Sequence, residues 1–255
     1  MTLALLHTVT PSLARCELTF VGRRPIDVAR ARRQHGDYGR LLAGLGAAVR
    51  EVNTSPDHAD AVFIEDCVVV LDELAVLTSM GAPSRRAEVD RLLPVLAGYR
   101  EIVRIEPPAT LEGGDVLRIA RTLFVGRSPR TNQAGIDALA GIAAPLGYDV
   151  VAVPVHGCLH LKTAVTALAP DTLLANLDWF DPAPFGDRRI VAVDAHEPFA
   201  ANTLRIGEAV VMSASHARTI ARVREAGFAV HTVAIDELEK AEAGVTCLSV
   251  LLPDR

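Results

Sequence analysis

Apolar residues recur along the chain in a fixed order: two short β-branched runs, an amphipathic stretch, then a third run. The first copy opens with "AVFIEDCVVVL" (61–71) and "LAVLTS" (74–79), bounded by turn residues, which predicts two strands. "GAPSRR" (81–86) reads as a turn. In "AEVDRLLPVLAGY" (87–99), Val89, Leu92, Leu93, Val95 and Leu96 fall at helical spacing, and "EIVRIE" (101–106) predicts a further strand. The order returns in "GGDVLRIA" (113–120), "TLFVGR" (122–127), the turn "SPRTN" (128–132), the helix "QAGIDALAGIAAPLG" (133–147) and the strand "YDVVAVPV" (148–155).

A third copy is fainter: "LHLKTAVTAL" (159–168), "DTLLANL" (171–177) and "RIVAVDA" (189–195), with no legible pattern around 181–191. A fourth runs through "NTLRIG" (202–207), "AVVMSA" (209–214), the helix "HARTIARVREAG" (216–227) and "FAVHTVAI" (228–235). The last run, "TCLSVLL" (246–252), has no helix after it. The N-terminal part supplies the missing pieces: a strand candidate, a helix over "GDYGRLLAGLGAAV" (36–49) and a strand over "REVN" (50–53). A fifth unit is then closed by joining the two ends of the chain.

Five strand-strand-helix-strand units at a period of about 45 residues signal a propeller or solenoid. One helix per unit excludes an all-β blade, and a closed ring hides the sheet edges that an open stack exposes. The expected fold is therefore a five-bladed pseudo-symmetric α/β propeller, with residues 1–255 read as one catalytic domain. An open α/β sandwich is the competing architecture.

Composition narrows the partners. Half of the 255 residues are apolar and the formal net charge is −5. No basic block or aromatic-basic stripe is present, which argues against nucleic acid and anionic membrane. No apolar stretch approaches the roughly 18 to 20 residues that span a bilayer. The opening "MTLALLHTVTPSLARCEL" lacks a basic n-region and reads as a strand or arm, not a signal peptide. Cys16, Cys67, Cys158 and Cys247 are widely spaced with no CxxC pair, so neither a structural zinc site nor a redox pair is expected, and a cytoplasmic protein with reduced thiols is. No cofactor or metal is called for, and self-association stays open.

Each unit carries a polar anomaly near its first strand. Glu65 and Asp66 lie inside "VFIEDCVVV", Glu112 opens unit two, His160 unit three, Asn202 unit four and Cys247 unit five. In a ring, equivalent positions face a common axis, so carboxylates, an imidazole and a thiol would meet in one channel. Each residue alone has an ordinary reading: a hydrogen-bonded core histidine, a cysteine acting as a small hydrophobe, an acid in a turn. Asp115 fits a structural hydrogen bond, and Cys16, Cys67 and Cys158 fit the core. Joint placement of Cys247, His160 and acids is what suggests a nucleophile with its acid/base partner. The chemistry that suits them is attack on a planar cationic carbon. Carboxylates match the N–H fork of a guanidinium, and a thiolate is stabilised beside a cation. Arg85 and Arg130 occupy the same turn in units one and two and suit a substrate carboxylate; Arg86 is the weaker member of its pair.

The motifs "FIEDCVVVLDELAVLT", "GAPSRR", "PPATLEGGDVLRI", "LFVGRSPRTNQAG", "LHLKTAVTAL" and "TCLSVL" closely resemble the dimethylarginine dimethylaminohydrolases, guanidine-modifying enzymes with a five-bladed α/β propeller. The resemblance spans nearly the whole chain. It implies hydrolysis of Nω-methylated arginines, small guanidino amino acids, to citrulline and an amine. It further implies Cys247 as the nucleophile of a covalent thiouronium, His160 as general acid/base, and Glu112 with Asp66 gripping the guanidinium. Asp60, Glu65, Arg85 and Arg130 match positions around the substrate, and Leu18 a lid position. The segment "KAEAGVTC" before Cys247 departs from the relatives. An arginine deiminase, an amidinotransferase of the same superfamily or a non-catalytic binder of arginine analogues are the alternatives.

Overall fold

The computed structural model describes residues 2–253. Its strands form five three-stranded sheets, each built to one plan. The first holds β3 (Val68–Val70), β4 (Leu74–Leu77) and β5 (Glu101–Arg104); the second β6 (Val116–Ile119), β7 (Thr122–Arg127) and β8 (Asp149–Pro154). The third holds β9 (Val165–Ala169), β10 (Thr172–Ala175) and β11 (Arg189–Ala192); the fourth β12 (Leu204–Ile206), β13 (Ala209–Ser213) and β14 (Ala229–Val233). In each, the second strand is central, antiparallel to the first and parallel to the third. The parallel pair needs a crossover, which a helix supplies in most blades.

The fifth sheet joins the two ends of the chain. β15 (Val250–Leu252) pairs antiparallel with β1 (Leu3–His7), which pairs parallel with β2 (Ala48–Val52). This is the expected five-bladed α/β propeller. All five first strands, β3, β6, β9, β12 and β15, contribute residues to one axial cavity of about 450 Å³.

The helices are α1 (Val28–Gly44), α2 (Arg86–Leu96), α3 (Gln133–Ala143), α4 (Leu161–Ala164), α5 (Ala217–Glu225) and α6 (Asp236–Glu239). The predicted helix over 36–49 is corrected at both ends. α1 starts at Val28, where the Asp27 carboxylate caps the Arg30 N–H at 2.9 Å, and β2 begins at Ala48. Its buried face is Ala31, Gln34, His35, Tyr38, Gly39 and Leu42, and the polar Gln34 and His35 within it weaken the periodic signal. Blade three has only a single 3-10 turn, Ala183–Phe185, where a crossover helix would lie. The Phe185 ring, stacked 4.2 Å from Phe124, fills the space instead.

The long strand predicted over 61–71 is also corrected. Residues Ile64–Cys67 form one turn of 3-10 helix, and the strand is Val68–Val70. Short helical turns precede the first strand in three other blades: Gly113–Asp115, α4 and Thr246–Leu248. A strand would send Glu65 and Asp66 to opposite faces; a 3-10 turn separates neighbours by roughly 120° instead. Consecutive residues of these turns therefore reach two adjacent spaces.

Candidate active site

Two spaces meet at those turns. Glu65, Lys162 and Thr246 line the axial cavity. Asp66, His160 and Cys247, the neighbours of Glu65 and Thr246 among them, line a second, small cavity of about 20 Å³. Between the two, Lys162 pairs with Glu65, and the Thr246 hydroxyl donates to Glu65 Oε2 at 2.7 Å. The thiol and imidazole thus share a cavity as expected, but a separate one from the axial channel.

His160 lies between two carboxylates. Its Nε2 is 2.8 Å from Glu112 Oε2, and its Nδ1 is 3.9 Å from Asp66 Oδ1. Glu112 is wholly buried, and its other oxygen accepts the Gly81 N–H at 3.1 Å and faces Arg130 Nη1 at 3.5 Å. Asp66 accepts from Arg85 Nη1 at 2.6 Å and from the Gly114 N–H at 3.1 Å. Burial alone would discharge the imidazole, but Asp66, Asp115 and Glu112 outweigh it and raise its pKa to about 9. Asp66 and Glu112 are correspondingly held below the usual carboxylate range despite burial, each by the His160 charge. The site at rest is an imidazolium between two carboxylates.

Backbone sterics make this approach feasible. A Cβ on Gly114 would lie 2.6 Å from His160 Nδ1 and 2.8 Å from Asp66 Oδ1. One on Gly113 would lie 2.0 Å from the Glu65 carbonyl oxygen. The "GG" of "LEGGDVL" is the contact surface on which the imidazole and the Glu65–Asp66 turn rest.

Asp115 fixes the same turn from behind. It accepts from Ser128 Oγ at 2.6 Å, Thr131 Oγ1 at 2.7 Å and the Leu161 N–H at 2.9 Å. Thr131 Oγ1 in turn accepts the Glu112 N–H at 3.1 Å. One buried carboxylate thereby positions the backbone of both partners in the Glu112–His160 pair. This bears out its expected structural role.

Cys247 sits in its helical turn with the Gly244 N–H donating to Sγ at 3.4 Å. Asn202, the anomaly of blade four, does not line this cavity. Its side chain brackets Thr246, accepting from the Thr246 N–H and donating to Thr246 Oγ1, each at 3.0 Å. Burial pushes the Cys247 thiol up to about 12, reinforced by Glu65 and Asp66. The resting sulfur is a neutral thiol.

The remaining predicted residues divide. Asp60, Arg85 and Arg130 line the cavity with Cys247 and His160. Arg85 is buried and tied to Asp66, to Glu88 at 2.9 Å and to the Phe63 carbonyl at 3.0 Å. Arg130 is freer, with contacts to Glu112 at 3.5 Å and Thr19 Oγ1 at 3.3 Å. Asp60 accepts the Glu17 N–H at 3.1 Å, and burial raises its pKa to about 6. Glu65 faces the axial cavity, and half-buried Leu18 packs on a core cluster beside the lining residue Glu17.

Sequence reasoning missed Glu88, Lys162, Glu17 and Glu242. Glu88 stands at the ion-pairing spacing from Arg85, which could have flagged it. Ligand atoms of Asp66, Glu112 and His160 fall within 4.8 Å of one another, a spacing that suits a cation. Each carboxylate, however, already accepts from N–H donors, and the imidazole is protonated, so the donor set is that of an ion-pair network.

Known proteins share this fold and much of this sequence. Residues 23–248 match the family model described as N,N dimethylarginine dimethylhydrolase, eukaryotic. An N(G),N(G)-dimethylarginine dimethylaminohydrolase of Streptomyces coelicolor is 39% identical over 98% of this chain and 96% of its own. The fold superimposes on a Pseudomonas aeruginosa dimethylarginine dimethylaminohydrolase, a cysteine-to-serine mutant complexed with citrulline, with a TM-score of 0.92 at 30% identity, covering 98% of each chain. A histidine-to-glycine form of such an enzyme, an adduct with S-methyl-L-thiocitrulline, gives a TM-score of 0.92 at 29% identity, covering 99% of this chain and 100% of its own. With the model match and the near-complete overlap in sequence, the chain belongs to the dimethylarginine dimethylaminohydrolase family.

Proposed function

We propose that the protein hydrolyses Nω-methylated L-arginines to L-citrulline and methylamine or dimethylamine, with Cys247 as nucleophile. The observation that carries this reading is the shared cavity of Cys247, His160 and Asp66, with Arg130 at its edge. Relatives crystallised with citrulline and as a thiocitrulline adduct support the product and the covalent route.

The guanidinium enters against Asp66, and its charge beside the sulfur lowers the thiol pKa, so that the thiol proton leaves to solvent. The thiolate adds to the central carbon. His160, already an imidazolium, gives its proton to the departing amine as the C–N bond breaks, leaving a cationic thiouronium on Cys247. Neutral His160 then takes a proton from water as the oxygen adds to the same carbon. Collapse expels the sulfur, and the proton of the added hydroxyl returns to it, which leaves the ureido group of citrulline and the free thiol. Each half-reaction uses one proton held at His160 Nε2 or Nδ1.

Glu112, which sequence reasoning set against the substrate, has both oxygens engaged and acts on His160 instead, keeping it charged. Arg130 takes the substrate carboxylate, with Arg85 behind it, and Asp60 the α-ammonium. Glu65 and Lys162 close the cavity on the axial side. The ring works as one catalytic unit. Four free thiols fit a reducing cytoplasm, and among the described residues no helix is long and apolar enough to cross a membrane.

Citrulline assays with asymmetric dimethylarginine, monomethylarginine and arginine test the reading. Turnover of the methylated forms is expected. Citrulline from arginine alone would make the protein a deiminase, and no citrulline from any would make it a binder.

A further inference from the structure

The cavity that holds Cys247 is too small for its substrate. Small-molecule sites enclose about 300–1,000 Å³, whereas this one is about 20 Å³, with room for about one water. Glu17 lines it, and the segment Glu17–Val21, which belongs to no strand or helix, is bonded to the lining residues Asp60, Glu242 and Arg130. What keeps it down is a pair of carboxylates acting on its backbone. Asp60 accepts the Glu17 N–H at 3.1 and 3.2 Å. Glu242 accepts the N–H groups of three successive residues: Thr19 at 3.0 and 3.1 Å, Phe20, and Val21 at 2.7 Å.

Glu242 itself is unusual. Its φ is 62°, in the left-handed region that a residue with a Cβ avoids. Glycine would fill that backbone position without strain, so the carboxylate is the reason for the side chain there. Glu242 lines the reactive cavity, and it lies on the segment that continues, through the Gly244 N–H, to Cys247 Sγ. On the other side, Thr19 accepts from Arg130 Nη2 at 3.3 Å. One side chain therefore links the cover, the nucleophile's segment and the arginine proposed for the substrate carboxylate.

We propose that Glu242 is a latch: its carboxylate, by collecting the Thr19–Val21 N–H groups, holds the cover shut over Cys247 and sets the cover against Arg130. This rests on the reading of the Cys247 cavity as the substrate site. Glu242 is a positioning residue, since it acts through the cover. Substrate enters only when those N–H bonds are released, and re-forming them after entry presses Thr19 onto the arginine that faces the bound carboxylate.

The test is the rate at which iodoacetamide, a small neutral reagent, alkylates Cys247, with the modified residue located by peptide mass spectrometry. Glu242→Gly removes the carboxylate while suiting the positive φ, so it keeps the fold, checked by circular dichroism and thermal melting. Alkylation of Cys247 in this variant is expected to rise about tenfold or more, as a locally opened state becomes populated. Glu242→Gln, whose amide oxygen can still accept where Oε1 does, should stay within about threefold of the parent rate. In turnover of dimethylarginine, Glu242→Gly should raise KM more than it lowers kcat. A parent-like alkylation rate in Glu242→Gly would overturn the latch. That outcome is distinct from failure of the function, which would appear as no citrulline from the parent enzyme.

Discussion

The Nε2 of His160 lies 2.8 Å from Oε2 of Glu112, and Glu112 is fully buried. With the charges of Asp66 and Asp115, this pairing holds a proton on the imidazole well above neutral pH, the His160 pKa being raised to about 9. The raised value also stabilises the fold below the ordinary histidine pKa, and that contribution is lost as pH rises through about 9.

Glu112→Gln keeps the shape and removes the charge. The alkaline limb of kcat/KM should move to lower pH, and stability at neutral pH should fall by about 1.5–3 kcal/mol, the usual worth of a hydrogen bond to a charged group. Measuring the rate profile and denaturant midpoint in both proteins checks this. An alkaline limb that does not move would remove Glu112 from the control of His160.

Cys247 should be a thiol, not a thiolate, in the free enzyme, because burial with Glu65 and Asp66 nearby pushes its pKa to about 12. The ultraviolet absorbance of a thiolate, taken as the difference between the parent and Cys247→Ser, should be absent at neutral pH. It should grow when a non-hydrolysed guanidinium ligand is added. Full thiolate absorbance without ligand would contradict the proposed order of events.

The acid limb of kcat/KM should fall near pH 6, where Asp60 takes up a proton, its pKa having been raised to about 6 by burial. Because this carboxyl is raised above its unfolded value, protonation on the acid side strengthens the fold while it weakens ammonium recognition. Loss of activity below about pH 6 without loss of stability separates the two. Asp60→Asn should flatten that limb at a lower rate throughout.

Gly114→Ala should be nearly inactive. Its new methyl would meet His160 Nδ1 at 2.6 Å, so the imidazole or the Asp66 carboxylate has to move. Overpacking of this kind costs about 1–3 kcal/mol. Thermal melting reads the stability, and citrulline production the activity. Undiminished turnover would show that the Gly114–His160 contact is dispensable.

The ring and its closure were legible because strands announce themselves: β-branched runs such as 122–127 and 209–214 recur with turn residues between them. Cys247, His160 and Asp66 were legible as polar breaks at matching places, and Arg130 as the counterpart of Arg85 in a repeated turn. The helical turn at Ile64–Cys67 was not, since a short buried run looks alike in a strand and in a helix. That turn decides which cavity Glu65 and Asp66 each reach. Residues whose roles arise from partners far along the chain, such as Glu242 with Thr19, or Asn202 with Thr246, carry no local pattern at all.

The pairing of β15 with β1 brings the stretch that carries Cys247 to the strand nearest the start of the chain. A ribosome makes β1 before β15, with the other four blades between them. While synthesis is under way, the imidazole and its acids can already be in their folded blades, but the sulfur has yet to emerge. On the proposed reading, the nucleophile joins its partners only when β15 docks on β1.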